Sequence, residues 1–303
     1  MTAADQPETR RLTMIAATSI VIALLVMAIK YIAYQRTGSV ALYSDAIESI
    51  VNLLTAVAAL VAIRISQRPA DRRHPYGHHK AELFAAAIEG ALIIVAALLI
   101  MGEAWEALSA GHTVAHAYEG LLINGAATVI NAGWAAVLIS RGRSWRSPAL
   151  TADGWHLVTD VVTSVGVLLG VILVALTGWR ILDPLMAIAV AGHILWAGYR
   201  ISMQSMSGLM DETAGSETEA RIRALIAING NGALQVHDIR TRIAGRATFI
   251  EFHLVVPGSM TMLDAHDICD RLEHAIEAAI DGAEVVIHVE PDHKAKAKAA
   301  VEL

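Results

Sequence analysis

The sequence is poor in the residues that build disulfides, thiolate metal sites and base-stacking surfaces. A single cysteine, Cys269, stands among 303 residues, so an intrachain disulfide is impossible and a zinc site made of several thiolates is excluded. Aromatic residues make up only 5% of the chain, which leaves no stacking platform for nucleic-acid bases. Charged residues make up only 17%, and the net charge is −6. We therefore predict no nucleic-acid partner.

Hydrophobic residues dominate instead, at 55% of the chain with a mean hydropathy of +0.51. This composition predicts an integral membrane protein with room for a modest soluble domain. Six apolar runs each come near the roughly 20 residues that cross a lipid bilayer. We predict membrane-spanning helices over Met14–Tyr34, Ala41–Ile65, Leu83–Met101, Gly120–Ile139, Ala149–Leu176 and Asp183–Ile201.

Arginine and lysine are distributed unevenly between the segments that connect these runs. They precede the first run and fill the loops after the second and fourth runs, whereas the other loops carry only Arg36 and Arg180. By the positive-inside rule, both termini are predicted to lie in the cytoplasm. An even number of spans agrees with this orientation. We expect the membrane to be a bacterial inner membrane.

The pattern changes after Met210, where short amphipathic segments replace the long apolar runs. We predict helix, strand, strand, helix and strand over Ser216–Ile228, Val236–Ile243, Thr248–Val256, Leu263–Ile280 and Ala283–Glu290. The predicted fold class is an all-α six-helix transmembrane domain followed by an α+β ferredoxin-like cytoplasmic domain. The predicted segments are a cytoplasmic tail over 1–12, the transmembrane domain over 13–209, the cytoplasmic domain over 210–292 and a flexible tail over 293–303.

Two of the apolar runs carry matched stripes of polar residues. One reads ALYSDAIESIVN from Ala41 to Asn52, and the other reads ALTADGWHLVTD from Ala149 to Asp160. Both follow D-x-x-[E/H]-x-x-x-[N/D], and these offsets place each set on one face of a helix. Ionisable residues at membrane depth cost about 2.5–3.5 kcal/mol each and are usually functional. The stripes are Asp45, Glu48 and Asn52 in the first run, and Asp153, His156 and Asp160 in the second.

These side chains suit a metal site, because carboxylates and imidazole bind Zn²⁺ and other first-row divalent ions. The two helices run antiparallel, so we expect Glu48 near Asp160 and Asn52 near His156. Our hypothesis is a core site of Glu48, His156 and Asp160. The fourth ligand is either Asn52 or, if the site lies one turn outward, Asp45.

Asp153 has two possible roles. It is either a ligand on the cytosolic approach to the core site or a hydrogen-bond partner of a neighbouring helix, and the second role is open for Asp45 as well. Metal binding requires the ligands to lose their protons. Loading from one side of the membrane and protonation from the other would exchange a metal ion for protons.

Histidines gather in two further places. The loop RPADRRHPYGHHKAE spaces Asp71, His74 and His78 by three and four residues, which fits either a cytoplasmic metal site or a solvated polar loop. In the C-terminal part, each predicted strand and one predicted helix carry a histidine, and a carboxylate follows the last of the strand histidines on the same face. We interpret this second set as a cluster for one or two zinc ions. Its members are His237, His253, His266, His288 and Glu290.

Several stretches together resemble a known family: LYSDAIESIVN, RPADRRHPYGHHKAE, LTADGWHLVTD and the series VHDIRTR, FIEFHLVV, DAHDICDRLE and VVIHVEPDH. Over nearly its whole length the chain resembles the cation diffusion facilitator family of divalent-metal transporters. The motif H-P-Y-G-H-H-K-A-E together with A-D-x-x-H-x-x-x-D is the specific part. The resemblance implies a homodimeric, proton-coupled exporter with a six-helix membrane domain, a cytoplasmic ferredoxin-like domain and no enzymatic activity.

The resemblance also implies a role for each site. It places the transport site at His156 and Asp160 with Glu48 and Asn52, supports metal binding by the loop, and makes the C-terminal cluster a set of regulatory ligands. This sequence departs from the family at two positions, because zinc and iron members usually have His or Asp where Glu48 stands and Asp where Asn52 stands. Zn²⁺ is our first expectation for the cargo, with Fe²⁺, Mn²⁺, Co²⁺ and Cd²⁺ as alternatives.

Two other classes of function remain open at this point. One is a metal-sensing or assembly protein whose cytoplasmic domain works without transport. The other is a membrane metalloenzyme that activates water. The sequence contains no H-E-x-x-H motif, and the paired stripes fit transport better. For a transporter we expect metal ions and protons as the transported species, a lipid bilayer around the helices and a second copy of the chain as partner.

Overall fold

The computed structural model describes residues 5–37, 40–110, 118–179, 181–296 and 301–303. The chain divides into two compact units, residues 1–206 and 207–303. Six long helices occupy the first part of the chain: α1 (Asp5–Thr37), α2 (Val40–Ser66), α3 (Ala81–Ala110), α4 (Tyr118–Ser144), α5 (Pro148–Thr177) and α6 (Leu182–Leu209). The predicted six-helix domain is confirmed.

The outward surfaces of these helices are apolar. Large side chains such as Leu54, Leu99 and Val129 are more than 60% exposed, a surface that lipid stabilises and water does not. Within the described residues, four stretches are long and apolar enough to cross a membrane: Arg10–Ile32, Ser49–Ser66, Ala81–Glu106 and Pro184–Leu209. The chain is an integral membrane protein.

The interior of the first unit is built where α1, α2, α4 and α5 meet. Leu12, Ile63, Leu138 and Leu150 are fully buried there. Helices α4 and α5 form a close antiparallel pair, which a glycine permits. A Cβ atom on Gly154 would lie 2.7 Å from a side-chain carbon of Ile139 and 3.0 Å from its backbone nitrogen. Because Gly154 lies within the second polar stripe, this contact draws that part of α5 into the helical interior.

The second unit has the predicted order of helices and strands. Its elements are α7 (Ser216–Asn229), β1 (Gln235–Ala244), β2 (Ala247–Val256), α8 (Met262–Ala279) and β3 (Ala283–Pro291). Strand β1 pairs with β2 in antiparallel fashion, and β2 pairs with β3 in parallel fashion. Helix α8 begins after Thr261, whose hydroxyl accepts a hydrogen bond from the backbone N–H of Asp264. The α+β class predicted for this part of the chain is confirmed.

The two faces of the sheet differ in what covers them. Helices α7 and α8 pack on one face, where Ile226 and Leu272 contact a core that includes Ile250, Phe252 and Leu254 of β2. Since side chains alternate along a strand, the residues between these point to the face without helices. His253 is one of them, and the polar cluster of this unit lies on that face.

The described residues at the end of the chain, where we predicted a flexible tail, include two short regular elements. Asp292–Lys294 form one turn of 3₁₀ helix, and Val301–Glu302 form a short strand, β4. Strand β4 pairs with Gln235–Val236 at the free edge of β1, which gives the sheet order β3-β2-β1-β4. An edge strand carries unpaired N–H and C=O groups. The tail supplies partners for some of them, which local sequence patterns do not reveal.

Candidate metal centres

Helices α2 and α5 bring three polar side chains together inside the first unit. The Nε2 atom of His156 lies 2.8 Å from Oδ1 of Asn52. The Nδ2 atom of Asn52 donates a hydrogen bond to Oδ2 of Asp160 at 2.5 Å. Asn52 and His156 are buried, and Asp160 is half-buried. One amide therefore connects an imidazole to a carboxylate, and all three groups carry nitrogen or oxygen atoms that bind metals.

An amide suits the position between these two groups because its oxygen accepts hydrogen bonds and its nitrogen donates them. A carboxylate at residue 52 would face Asp160 with a second negative charge, which is unfavourable unless a proton or a cation lies between them. The expected proximity of Asn52 to His156 is found. The amide of Asn52 also contacts Asp160, which we expected beside Glu48.

The other two residues of the first stripe, Asp45 and Glu48, have side chains that lie outside the part of the structure that is described. Both residues belong to α2 (Val40–Ser66), and Glu48 comes one helical turn before Asn52. Their roles as ligands therefore stay predictions.

Asp153 is engaged by a neighbouring helix. The hydroxyl of Ser19 on α1 donates to its Oδ2 atom at 2.8 Å, and the indole N–H of Trp134 on α4 donates to the Ser19 oxygen at 2.8 Å. This contact corresponds to the hydrogen-bonding role among the two considered for Asp153. Sequence reasoning missed Ser19 and Trp134. The sequence offered only a weak signal for them, because each is a single polar or aromatic residue within a predicted apolar run.

A small cavity lies between this hydrogen-bonded chain and the metal-ligand candidates. It is large enough for about one water molecule, and its polar lining includes Ser19, Asn52, Asn131 and Asp153. The cavity therefore adjoins both Asn52 and Asp153. Helices α1 and α4 take part in the surroundings of the site, although neither carries a predicted ligand.

Two buried glutamates on α3 were not among the predicted site residues. Glu82 accepts hydrogen bonds from the hydroxyls of Ser66 and Ser147, which ties the start of α3 to the end of α2 and to the residue preceding α5. Glu89 lies two turns further along α3 and is buried. Within the described part of the chain, its Oε1 atom has no hydrogen-bond partner. Buried carboxylates inside a membrane domain are costly and are usually functional.

The loop between α2 and α3 brings its three predicted ligands together. The carboxylate of Asp71 lies 3.2 Å from Nδ1 of His74 and 3.5 Å from Nε2 of His78. The backbone N–H groups of His74 and Arg73 donate to Asp71 and lower the pKa of its carboxyl from the ordinary value. Asp71 is thus anionic at neutral pH. One carboxylate and two imidazoles within 4.8 Å of one another suit a divalent metal.

The histidines of the three long strands form one row on the helix-free face of the sheet. His237 pairs with His253, and His253 pairs with His288, in the β1–β2 and β2–β3 registers. Two residues after His288, Glu290 lies on the same face. Its carboxylate is 3.2 Å from Nε2 of His237 and 3.3 Å from Nδ1 of His253. Strand alternation and register together create this cluster.

The two remaining predicted ligands of this unit lie apart from the centre of the cluster. His288 is 66% exposed, with its Nε2 atom 3.7 Å from Glu290. His266 lies on α8, which covers the opposite face of the sheet, and its ring contacts Asp270 one turn further along the same helix. The structure therefore does not bring His266 to the strand histidines.

The donor atoms of His237, His253 and Glu290 fit a metal ion. They lie within 4.8 Å of one another, and His237 is 2% exposed. Within the described residues, neither ring nitrogen of His237 nor Nδ1 of His253 forms a hydrogen bond. Buried nitrogen atoms normally have hydrogen-bond partners. Unused donor atoms that converge beside a carboxylate are typical of a metal site.

Comparison with known proteins gives matches over nearly the whole chain. A family model described as the cation efflux transmembrane domain matches residues 16–210, and one described as the cation efflux protein cytoplasmic domain matches residues 214–292. An uncharacterized transporter of Synechocystis sp. is 42% identical, over 91% of this chain and 89% of that protein. The cation-efflux pump FieF of Shewanella oneidensis is 33% identical, over 90% and 92%. A solved structure of CzrB in its Zn form is 46% identical, over 28% of this chain and 98% of that chain, with a TM-score of 0.28.

Proposed function

The chain belongs to the cation diffusion facilitator family of cation-efflux transporters, and we propose that it exports a divalent metal from the cytoplasm in exchange for protons, by alternating access. It is a transporter rather than an enzyme, because transporters are what the matching family models and relatives describe. The observation that carries the proposal is the contact of Asn52 with both His156 and Asp160, which joins two helices of the transmembrane domain.

We assign the transport site to these three residues together with Glu48 from the preceding turn of α2. Asp45 stays the alternative fourth ligand if the site lies one turn outward. An imidazole with carboxylates is a common ligand set for Zn²⁺, which makes Zn²⁺ the first candidate cargo. Fe²⁺, Mn²⁺, Co²⁺ and Cd²⁺ remain candidates. The amide of Asn52 is neutral and attracts a cation less strongly than a carboxylate does, so the site discriminates less between divalent ions.

Proton exchange follows from the chemistry of the ligands. A metal binds His156 and Asp160 only when both have released their protons, so metal ions and protons compete for the same atoms. Loading of metal from the cytosol and protonation from the opposite side therefore exchange one for the other. Asp153 either serves as a ligand on the cytosolic approach or holds α1 in place through Ser19.

We propose that the other two sites bind metal on the cytoplasmic side. Asp71, His74 and His78 form the loop site. His237, His253 and Glu290 hold a regulatory metal in the cytoplasmic domain, and the exposed ring of His288 is within reach of the same carboxylate. The protein works as a homodimer in a bacterial inner membrane with both termini in the cytoplasm, as the loop charges predict.

Metal uptake into proteoliposomes under an imposed pH gradient tests this function. The ions to compare are Zn²⁺, Fe²⁺, Mn²⁺, Co²⁺ and Cd²⁺, and Asp160→Ala is the inactive control. We expect proton-dependent flux of at least one ion in the natural protein. The variant should lose this flux while keeping its fold, because it loses the only charged oxygen ligand seen in contact with Asn52 in the described part of the structure.

Two results would contradict the proposal. Normal flux through Asp160→Ala would mean that the transport site lies elsewhere. Tight metal binding without flux of any ion would favour a metal-sensing or assembly protein. In that case, a variant shortened after Met210 would show whether the binding belongs to the cytoplasmic domain.

A further inference from the structure

The segment that follows the last ligand-bearing strand attaches to β1 on both sides of His237. We name residues 292–296 the strap. The side-chain amide of Gln235 donates to the backbone oxygen of Lys296 at 3.3 Å and accepts from its backbone N–H at 2.9 Å. The ammonium group of Lys296 lies 2.5 Å from Oδ2 of Asp238. Residues 235 and 238 lie on either side of His237, so the strap holds β1 two residues before and one residue after this ligand candidate.

Strand β1 has an irregularity at this point. His237 pairs with His253 and Arg240 pairs with Glu251, so two residues of β1 lie opposite one residue of β2. This is a β-bulge, and such bulges reorient side chains beside functional sites. Asp238, the first residue of the bulge, has a φ of 51°. A left-handed backbone is uncommon for residues other than glycine, although aspartate tolerates it better than most. The ion pair to Lys296 holds the side chain of this strained residue.

The strap and the cluster connect the same strands. Strand β2 lies between β3 and β1 in the sheet, so β3 and β1 share no backbone hydrogen bonds in the described sheet. Glu290 of β3 reaches His237 of β1 through its carboxylate. Six residues after Glu290, Lys296 reaches the same part of β1 through the strap. Each connection brings the end of β3 and the bulge of β1 together.

We propose that the strap positions the cytoplasmic metal cluster, with Lys296 as a positioning residue that fixes the β-bulge and thereby the ring of His237. This inference depends on the proposed role of His237, His253 and Glu290 as metal ligands. The strap extends beyond residue 292, where the match to the cytoplasmic-domain family model ends. Docking of the strap and binding of metal favour the same arrangement of β1 and β3. By thermodynamic linkage, each therefore strengthens the other.

Hydrogen–deuterium exchange of the full-length protein in detergent, followed against buffered free Zn²⁺, measures the cluster apart from the other sites. Peptides from β1, β2 and β3 report binding at the cluster, and peptides from residues 292–303 report docking of the strap. We expect Zn²⁺ to slow exchange in both regions at the same midpoint concentration. His253→Ala removes a ligand candidate, so both responses should disappear in that variant.

The positioning role is tested with matched lysine variants. Lys296→Ala should weaken Zn²⁺ binding at the cluster by about two- to fivefold, the range expected for a partly exposed ion pair. Lys294→Ala is the control, because this exposed neighbour makes no ion pair among the described residues. Lys296→Arg should retain the affinity of the natural protein. Asp238→Asn keeps a side chain that tolerates the left-handed backbone and should match Lys296→Ala, while the double variant should show no further loss.

The possible failures can be told apart. If Zn²⁺ changes no exchange in β1, β2 or β3, the cluster is not a metal site and the proposed regulatory role fails. If Zn²⁺ slows hydrogen–deuterium exchange in the strands while Lys296→Ala and Lys294→Ala bind it equally well, the cluster is a metal site but the positioning role of Lys296 is overturned. A lower unfolding temperature in Lys296→Ala with unchanged Zn²⁺ affinity would likewise overturn it, because that result shows a structural contact alone.

Discussion

Asn52→Asp is the most specific perturbation of the proposed transport site. It keeps the size of the side chain, removes the Nδ2 donor to Asp160, and places a second carboxylate where the amide lies 2.5 Å from the first. A hydrogen bond to a charged group contributes about 1.5–3 kcal/mol. Without metal at pH 8, we expect the variant to lose about that much unfolding free energy, because two facing carboxylates repel each other.

Bound metal should reverse this loss. A divalent cation between the two carboxylates neutralises the added charge, so the stabilisation by Zn²⁺ should increase by a similar amount. A gain of about 1.5–3 kcal/mol corresponds to roughly 10- to 150-fold tighter binding. Thermal unfolding of the detergent-solubilised protein over a series of Zn²⁺ concentrations measures both effects, since a ligand that binds only the folded protein raises its stability by RT ln(1 + [L]/Kd).

Asn229→Asp is the matched control for this experiment. Asn229 is half-buried on α7, where its amide donates to the backbone oxygen of Leu225, so the same substitution removes an amide donor on an element that carries no predicted ligand. We expect it to destabilise the protein with no gain in Zn²⁺ affinity. If Asn52→Asp and Asn229→Asp respond equally to Zn²⁺, the bridging amide is not part of the metal site and the electrostatic argument is wrong.

Two further predictions concern the packing around this site, and thermal unfolding measures both. Gly154→Ala should lower the free energy of unfolding by about 1–3 kcal/mol because the added carbon meets Ile139 at 2.7 Å. The control Gly133→Ala places its Cβ where no atom lies within 4 Å and should raise the free energy of unfolding by about 0.5–1 kcal/mol. Equal effects of the two substitutions would contradict the close contact of α4 and α5. Ser19→Ala removes the donor to Asp153 and the acceptor of Trp134, so a loss of about 1–3 kcal/mol is expected, and no loss would mean that Asp153 does not depend on α1.

The fold was predictable because its signals are local. Long apolar runs predict helices in a membrane, and the change to shorter periodic segments after Met210 marks the start of a different kind of domain. The bounds in the second unit agree closely: the helix predicted over Leu263–Ile280 is α8 at Met262–Ala279. Several helices of the first unit extend further than their apolar runs, by up to nine residues: the run predicted over Met14–Tyr34 is α1 at Asp5–Thr37. The strands agree for a similar reason, since alternation along β2 separates the core side chains from those on the helix-free face.

The cytoplasmic cluster was partly predictable. The two-residue spacing of His288 and Glu290 places both on one face of β3, which the sequence shows directly. That His237 and His253 meet them depends on the register between strands. The number of histidines in this part of the chain did not reveal which of them lie together. His266 lies apart from the strand histidines because α8 packs on the other face of the sheet. The strap was not predictable, since a lysine-rich and alanine-rich end carries no periodic signal.

The sequence by itself determined which side chains share a face of their own helix or strand, because the periods of 3.6 and 2 residues follow from backbone geometry. The polar stripes of α2 and α5 belong to that category. Only the tertiary structure decided the distances between elements. It set Asn52 against both His156 and Asp160, and it gave Asp153 a partner on α1. Such contacts depend on how closely helices pack, and that depends on side-chain volumes from several parts of the chain at once.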